Sequence, residues 1–197
     1  MSEPLSDRAL DQLFRTARTY NGYTDRPVSE DQLHAIWDLM KYGPTSANCL
    51  PARIIWCTSD AAKQKLAALA MPANAGKILA APVTAIIGMD LEFYENLPEL
   101  FPHADARSWF VGNDELAKAT AFRNSSLQGG YFILAARALG LDTGAMSGFS
   151  NDAVDAAFFA DQPSVKSNFI ATLGYGDPAS IFERSPRPDF GRFNRLA

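Results

Sequence analysis

From position 114 to 139 this chain of 197 residues contains no proline. Phe122, Leu127, Tyr131, Leu134 and Ala138 recur there at near-helical spacing, and Gly140 follows as a C-terminal cap. The pattern predicts one long helix with those five side chains facing inward. In a chain of this size such a helix has to be the central element. Hydrophobic residues make up 47% of the sequence, enough to bury a core around it without help from disulfides. The length suits one domain over 1–197, with a Pro- and Arg-rich tail from about 178.

Shorter elements flank the long helix. Ser6 and Asp7 precede Leu10, Leu13, Phe14 and Ala17, one helical face that stops at Asn21-Gly22. Ser29 and Gln32 have capping-box spacing, and Leu33, Ile36, Trp37 and Met40 supply a buried stripe that ends at Gly43-Pro44. His34 lies beside that stripe and reads as structural. Residues 53–58, 82–88, 141–146 and 168–175 read as strands, and 60–70, 77–79 and 152–159 as helices. Between 91 and 112, Pro98 and Pro102 interrupt an aromatic run, which predicts broken helices forming a lid. The order of elements is that of an α+β layered structure without repeats or linkers.

A net charge of -4 offers no basic field for nucleic acid. The two cysteines, Cys49 and Cys57, match no zinc pattern and fit reduced thiols in a cytoplasm. The start Met-Ser-Glu-Pro has neither a basic nor an apolar leader region, and no apolar run is long enough to span a membrane, so a soluble, unprocessed protein is expected. No His, Asp or Glu spacing matches a metal-ligand set. Neither a Gly-x-Gly-x-x-Gly turn nor a phosphate-binding P-loop occurs. Ser147 lacks the Gly-x-Ser-x-Gly setting of a hydrolase nucleophile.

What remains is a set of polar groups in loops. Pro44 and Pro51 stiffen a connection carrying Thr45, Ser46 and Asn48, short side chains able to present donors and acceptors to a polar ligand. Arg18 and Thr19, with Arg184 and Arg187, would form a guanidinium and hydroxyl clamp for a phosphomonoester if brought together. His103, within Phe-Pro-His-Ala-Asp-Ala-Arg, could turn a polar tip towards a substrate under the lid.

In their order along the chain these groups resemble the FMN-dependent nitroreductase family. The motifs are Arg18-Thr19-Tyr20-Asn21-Gly22, Pro44-Thr45-Ser46-Ala47-Asn48, Asn74-Ala75-Gly76-Lys77, Ala145-Met146-Ser147-Gly148-Phe149 and Arg184-Ser185-Pro186-Arg187. The resemblance implies an α+β nitroreductase-like sandwich, a mostly antiparallel sheet flanked by helices, in an intertwined homodimer with FMN at its interface. It implies that Arg18, Thr19 and Asn21 meet the FMN phosphate and ribityl chain, joined by Arg184 and Arg187. Pro44, Thr45, Ser46 and Asn48 would reach the cofactor across the interface. Asn74 and Lys77 would lie by the flavin pyrimidine, with Ser147 and the Gly148 N–H nearby. Three positions depart from the family pattern: Asn21 replaces a basic residue, Leu50 a frequent Gln, and Ser147 an acid.

Long phrases, among them Leu-Phe-Pro-His at 100–103 and Asp-Ala-Arg-Ser-Trp-Phe at 105–110, resemble the members that reduce malonic semialdehyde to 3-hydroxypropionate in pyrimidine degradation. That implies a ping-pong hydride transfer from NADPH or NADH through FMN to a small aldehyde. Arg107 or Arg53 would bind the substrate carboxylate, and His103, Trp109 and Phe110 would enclose it. A broad-specificity nitroaromatic or quinone reductase and a non-catalytic flavin-binding module stay open as alternatives.

Overall fold

A computed structural model describes residues 3–197; the first two residues of the expected unprocessed N-terminus lie outside them. The chain runs through α1 (Asp7–Leu10), α2 (Glu30–Met40), β1 (Ala52–Cys57), α3 (Asp60–Ala67), α4 (Pro72–Ala80), β2 (Val83–Asp90) and α5 (Leu97–Leu100). It continues through α6 (Asp114–Ala138), β3 (Asp142–Met146), α7 (Asn151–Phe158), β4 (Val165–Gly174) and α8 (Phe190–Phe193).

The four strands form one antiparallel sheet in the order β1-β2-β4-β3. All eight residues of β2 are buried, because this central strand is covered on both faces. Alternation along it divides the core. Val83, Ala85 and Ile87 pack with Leu33, Ile36 and Met40 of α2 and Phe132, Ala135 and Ala136 of α6. Ile86 and Ile170 turn the other way, onto Leu66, Ile78 and Val154 of α3, α4 and α7. The α+β sandwich expected from the sequence is therefore present, and the capping box of α2 forms as read, Ser29 and Gln32 each accepting from the other's backbone N–H.

The long helix exists and Tyr131 packs on the core as expected, but Phe122, Leu127 and Ala138 face outward. Ala117, Ala121, Asn124, Ser125, Gln128, Gly129 and Phe132 lie against the protein, whereas Phe122 and Leu127 are 55% and 43% exposed. Small residues are needed on the inner face because α6 sits close to the sheet. A Cβ added at Gly129 would fall 2.3 Å from the Phe169 ring.

The N-terminal segment departs from a simple helix. α1 passes into one π-type turn over Asp11–Arg15 and stops at Thr16, leaving Phe14 55% exposed. Residues 17–20 are thus outside any helix, Asn21 makes a bend, and Thr19 pairs as a parallel bridge with Thr143 of β3. His34 points outward and sits 3.7 Å from Glu30 rather than beside the core. α4 is longer than the expected helix over 77–79, since Pro72 occupies its first turn without cost to the hydrogen-bond ladder. The lid is built of broken turns, α5 between two short 3₁₀ turns at Phe93–Asn96 and Arg107–Trp109. Its Phe93, Leu97, Ala106 and Phe110 pack in one cluster with Cys49, Met89 of β2 and Ala117 and Ala121 of α6.

Candidate functional site

The 18–21 segment is crossed by the C-terminal tail. Arg18 donates to the Phe182 carbonyl, Asn21 Nδ2 to Ser180 O at 3.0 Å, and Arg184 Nη2 to Ala17 O at 2.8 Å. Beside this crossing lies a half-open cavity of about 410 Å³ lined by Arg18, Thr19, Asn21, Arg184 and Arg187, all expected there, and by Arg137, which no sequence motif marked. Glu183 is the single carboxylate in the lining. None of the four arginines forms an ion pair among the described residues. Clustered like charges without counter-charges repel one another, and an anion bound between them relieves that repulsion. The donor set suits a phosphate.

A second group gathers at the far end of β3. Met71 N and Asn74 Nδ2 both donate to the Gly148 carbonyl, at 2.9 and 3.1 Å. Asn74 and Lys77 share a face of α4, three residues apart. Gly148 lets Asn74 approach closely, since a Cβ there would stand 2.6 Å from Asn74 Nδ2 and displace that side chain. Ser147 is exposed beside it, and the half-buried Lys77 forms no ion pair among the described residues. From Thr143, bridged to the arginine segment, to Met146, next to Ser147, the strand advances about 10 Å at ~3.3 Å per residue. The two groups thus mark the ends of one edge strand.

The 44–53 connection is held from behind by amides of α6. Asn124 Oδ1 accepts from Ser46 N and Gln128 Oε1 from Ala52 N, each at 2.8 Å. Tyr131 Oη donates to Pro44 O at 2.9 Å. Ala47, Asn48 and Leu50 have φ of 49°, 51° and 38°, a left-handed stretch that non-glycine residues adopt at a cost. Pro44, Ser46 and Asn48 are left exposed, and Asn48 Nδ2 ties the loop to the lid through Leu100 O at 2.8 Å. The neighbouring Cys49 thiol is buried, and burial pushes its pKa up to about 11.

Both arginines considered for a substrate carboxylate already hold one. Arg53 Nη2 lies 2.7 Å from Asp90 Oδ2, while its Nη1 donates to Leu50 and Ala52 carbonyls. Arg107 grips Glu95 through Nε and Nη2 at 2.7 and 2.8 Å, which holds the Glu95 carboxyl below its usual range. In the lid, Phe110 is buried edge-on to Phe93 at 4.9 Å. His103 and Trp109 remain exposed, and both flank Phe101.

Comparison with known proteins follows the same lines. The profile of the nitroreductase family matches residues 14–175. A Burkholderia lata protein under the provisional name NADH dehydrogenase/NAD(P)H nitroreductase is 60% identical over 192 residues, 98% of each chain. One from Xanthomonas oryzae with the same provisional name is 58% identical over 100% of both chains. Among solved structures, a provisionally named nitroreductase of Exiguobacterium sibiricum in complex with FMN aligns over 100% of both chains with a TM-score of 0.85. An enone reductase of gut-bacterial fatty acid saturation aligns over 98% of this chain and 99% of its own with a TM-score of 0.83. At 19% and 15% identity these two likenesses concern the fold alone.

Proposed function

Because this chain belongs to the nitroreductase family, whose general class is that of flavin oxidoreductases, we propose that it binds FMN and reduces malonic semialdehyde to 3-hydroxypropionate. In balance, the aldehyde, one NADPH or NADH and one proton give the alcohol and the oxidised nicotinamide. FMN, when bound, supplies the relay of hydride between the two substrates. The observation that carries the cofactor assignment is the cavity whose four arginines form no ion pair with a carboxylate among the described residues.

This chain's residues bind, orient and enclose. Arg18, Thr19, Arg184 and Arg187 would take the phosphate, with Asn21 alongside. Lys77 and Asn74 would border the ring's pyrimidine edge, where a cation favours negative charge on the reduced ring. Trp109 and His103 would cover the acceptor and keep water away. The exposed Phe122 and Leu127 on α6 and Phe190, Phe193 and Leu196 in the tail support an intertwined homodimer, since large apolar groups are otherwise left in water. In that dimer Pro44, Thr45, Ser46 and Asn48 would serve the partner's cofactor.

The reading is tested on purified protein. It should be yellow, release FMN on denaturation and elute as a dimer under light scattering. Under anaerobic conditions NADPH or NADH should bleach the flavin, and malonic semialdehyde should restore its colour within turnover time. Bleaching without restoration by the semialdehyde refutes the substrate. No bleaching leaves a flavin-binding module. The occupied state of Arg53 and Arg107, beside the exposed Trp109, favours a second reading, a reductase of nitroaromatics or quinones that stacks its substrate. A panel of quinone, nitroaromatic and semialdehyde at equal flavin loading separates the two.

A further inference from the structure

The basic residue that the N-terminal motif lacks at Asn21 has a counterpart elsewhere in space. Arg137, in the last turn of α6, lines the same cavity as Arg18, Arg184 and Arg187. Its Nη1 donates to the Leu13 carbonyl at 2.8 Å, the one protein acceptor it has among the described residues. Nε and Nη2 are left without one.

The backbone at Arg137 is fixed by the same segment. Gln12 Nε2 donates to the carbonyls of Arg137 and Ala138 at 2.7 and 3.4 Å. These contacts cap the negative end of a 25-residue helix, which would otherwise repel an anion. A side chain already pinned at one nitrogen loses little further freedom when its other nitrogens meet a ligand. Burial lowers the Arg137 pKa most; Asp142 opposes it, and the neighbouring Arg184 adds a smaller lowering. A guanidinium stays charged in a protein, so Arg137 is a cation partly withdrawn from water.

We propose that Arg137 is a phosphate-binding residue of the cofactor site, supplying from α6 the second cation that Asn21 does not. Resting on the FMN reading, it assigns Nη1 to Leu13 and the remaining nitrogens to the terminal phosphate.

The test compares FMN with riboflavin, which lacks the phosphate, by fluorescence titration of cofactor-free protein. Wild type should bind FMN far more tightly. In Arg137→Gln the FMN dissociation constant should rise about 10- to 100-fold, the loss of one charge-assisted contact, with riboflavin affinity unchanged. Equal weakening of both ligands would make Arg137 a support for the 11–15 turn only, and no weakening would exclude it from the site. Either result overturns the proposal. Arg137→Lys guards against a glutamine variant that does not fold. One ammonium cannot reproduce the fork between Leu13 and phosphate, so its preference for FMN should fall below wild type; an undiminished preference overturns the proposal too. A wild type that does not distinguish FMN from riboflavin instead removes the phosphate-site reading on which the proposal rests.

Discussion

Arg53→Met separates a structural arginine from a substrate-reading one. Arg53 and Asp90 are 30% and 12% exposed, and the substitution removes the contact at 2.7 Å together with two hydrogen bonds to loop carbonyls at 3.1 and 3.0 Å. A hydrogen bond from the ionised guanidinium contributes about 1.5–3 kcal/mol when its partner stays buried and less where water can replace it. Asp90 keeps Ser164 Oγ at 2.9 Å and Glu92 N at 3.0 Å, and the freed carbonyls can meet water, so part of that sum is recovered. The net loss should be about 2–3 kcal/mol, which for a chain of this size lowers Tm by roughly 4–12 °C. The assay is a thermal melt at fixed protein and FMN concentration. Asp90→Asn and the double variant complete a cycle whose coupling should reach about 1–2 kcal/mol. In kinetics, kcat/KM for semialdehyde and for a neutral aldehyde should fall together as the 44–53 loop loosens. An unchanged Tm with a loss confined to the carboxylated aldehyde would refute the reasoning and return Arg53 to the substrate.

Three further outcomes are expected. Ala47→Gly should raise Tm by a few degrees, since relief of the left-handed strain, about 1–2 kcal/mol, exceeds the roughly 0.5–1 kcal/mol that added chain freedom costs; a lower Tm would show that the strain is not felt there. Burial pushes both cysteine thiols up to about 11, so neither should react with a thiol reagent at pH 8 until the protein unfolds. Because their folded values exceed the unfolded 9.0, their protonated burial contributes fully below pH 9, and stability should decline as pH rises from 9 towards 11. Lys77→Ala should lower the flavin reduction potential and weaken FMN binding about 10- to 100-fold, whereas Arg18→Ala should weaken binding and leave the potential in place; spectroelectrochemical titration that finds both variants unchanged would reject both positions.

The strands, the α2 cap and the broken lid were legible because each rests on local chemistry: alternation, a Ser-to-Gln spacing, two prolines in an aromatic run. The arginine cradle was legible only through the order of motifs, since Arg18 and Arg184 are 166 positions apart (184 minus 18) and nothing local says the tail returns over the 18–21 segment. Arg137 carried no signal beyond a basic residue in a last helical turn, which the helix dipole alone would account for. The faces of α6 were misread for a different reason. Hydropathy assigns large apolar residues to the inside, yet Asn124 and Gln128 are wholly buried because the strained 44–53 loop needs acceptors for Ser46 N and Ala52 N. Packing close to β4 excludes bulk from that face at Gly129. Phe122 and Leu127 are therefore displaced to the opposite side, where a second chain would bury them. A sequence records that a side chain is to be buried without recording by which subunit. The exposure of Phe122 and Leu127 on α6 is what such an ambiguity would produce if one helix served both the core and the proposed dimer interface.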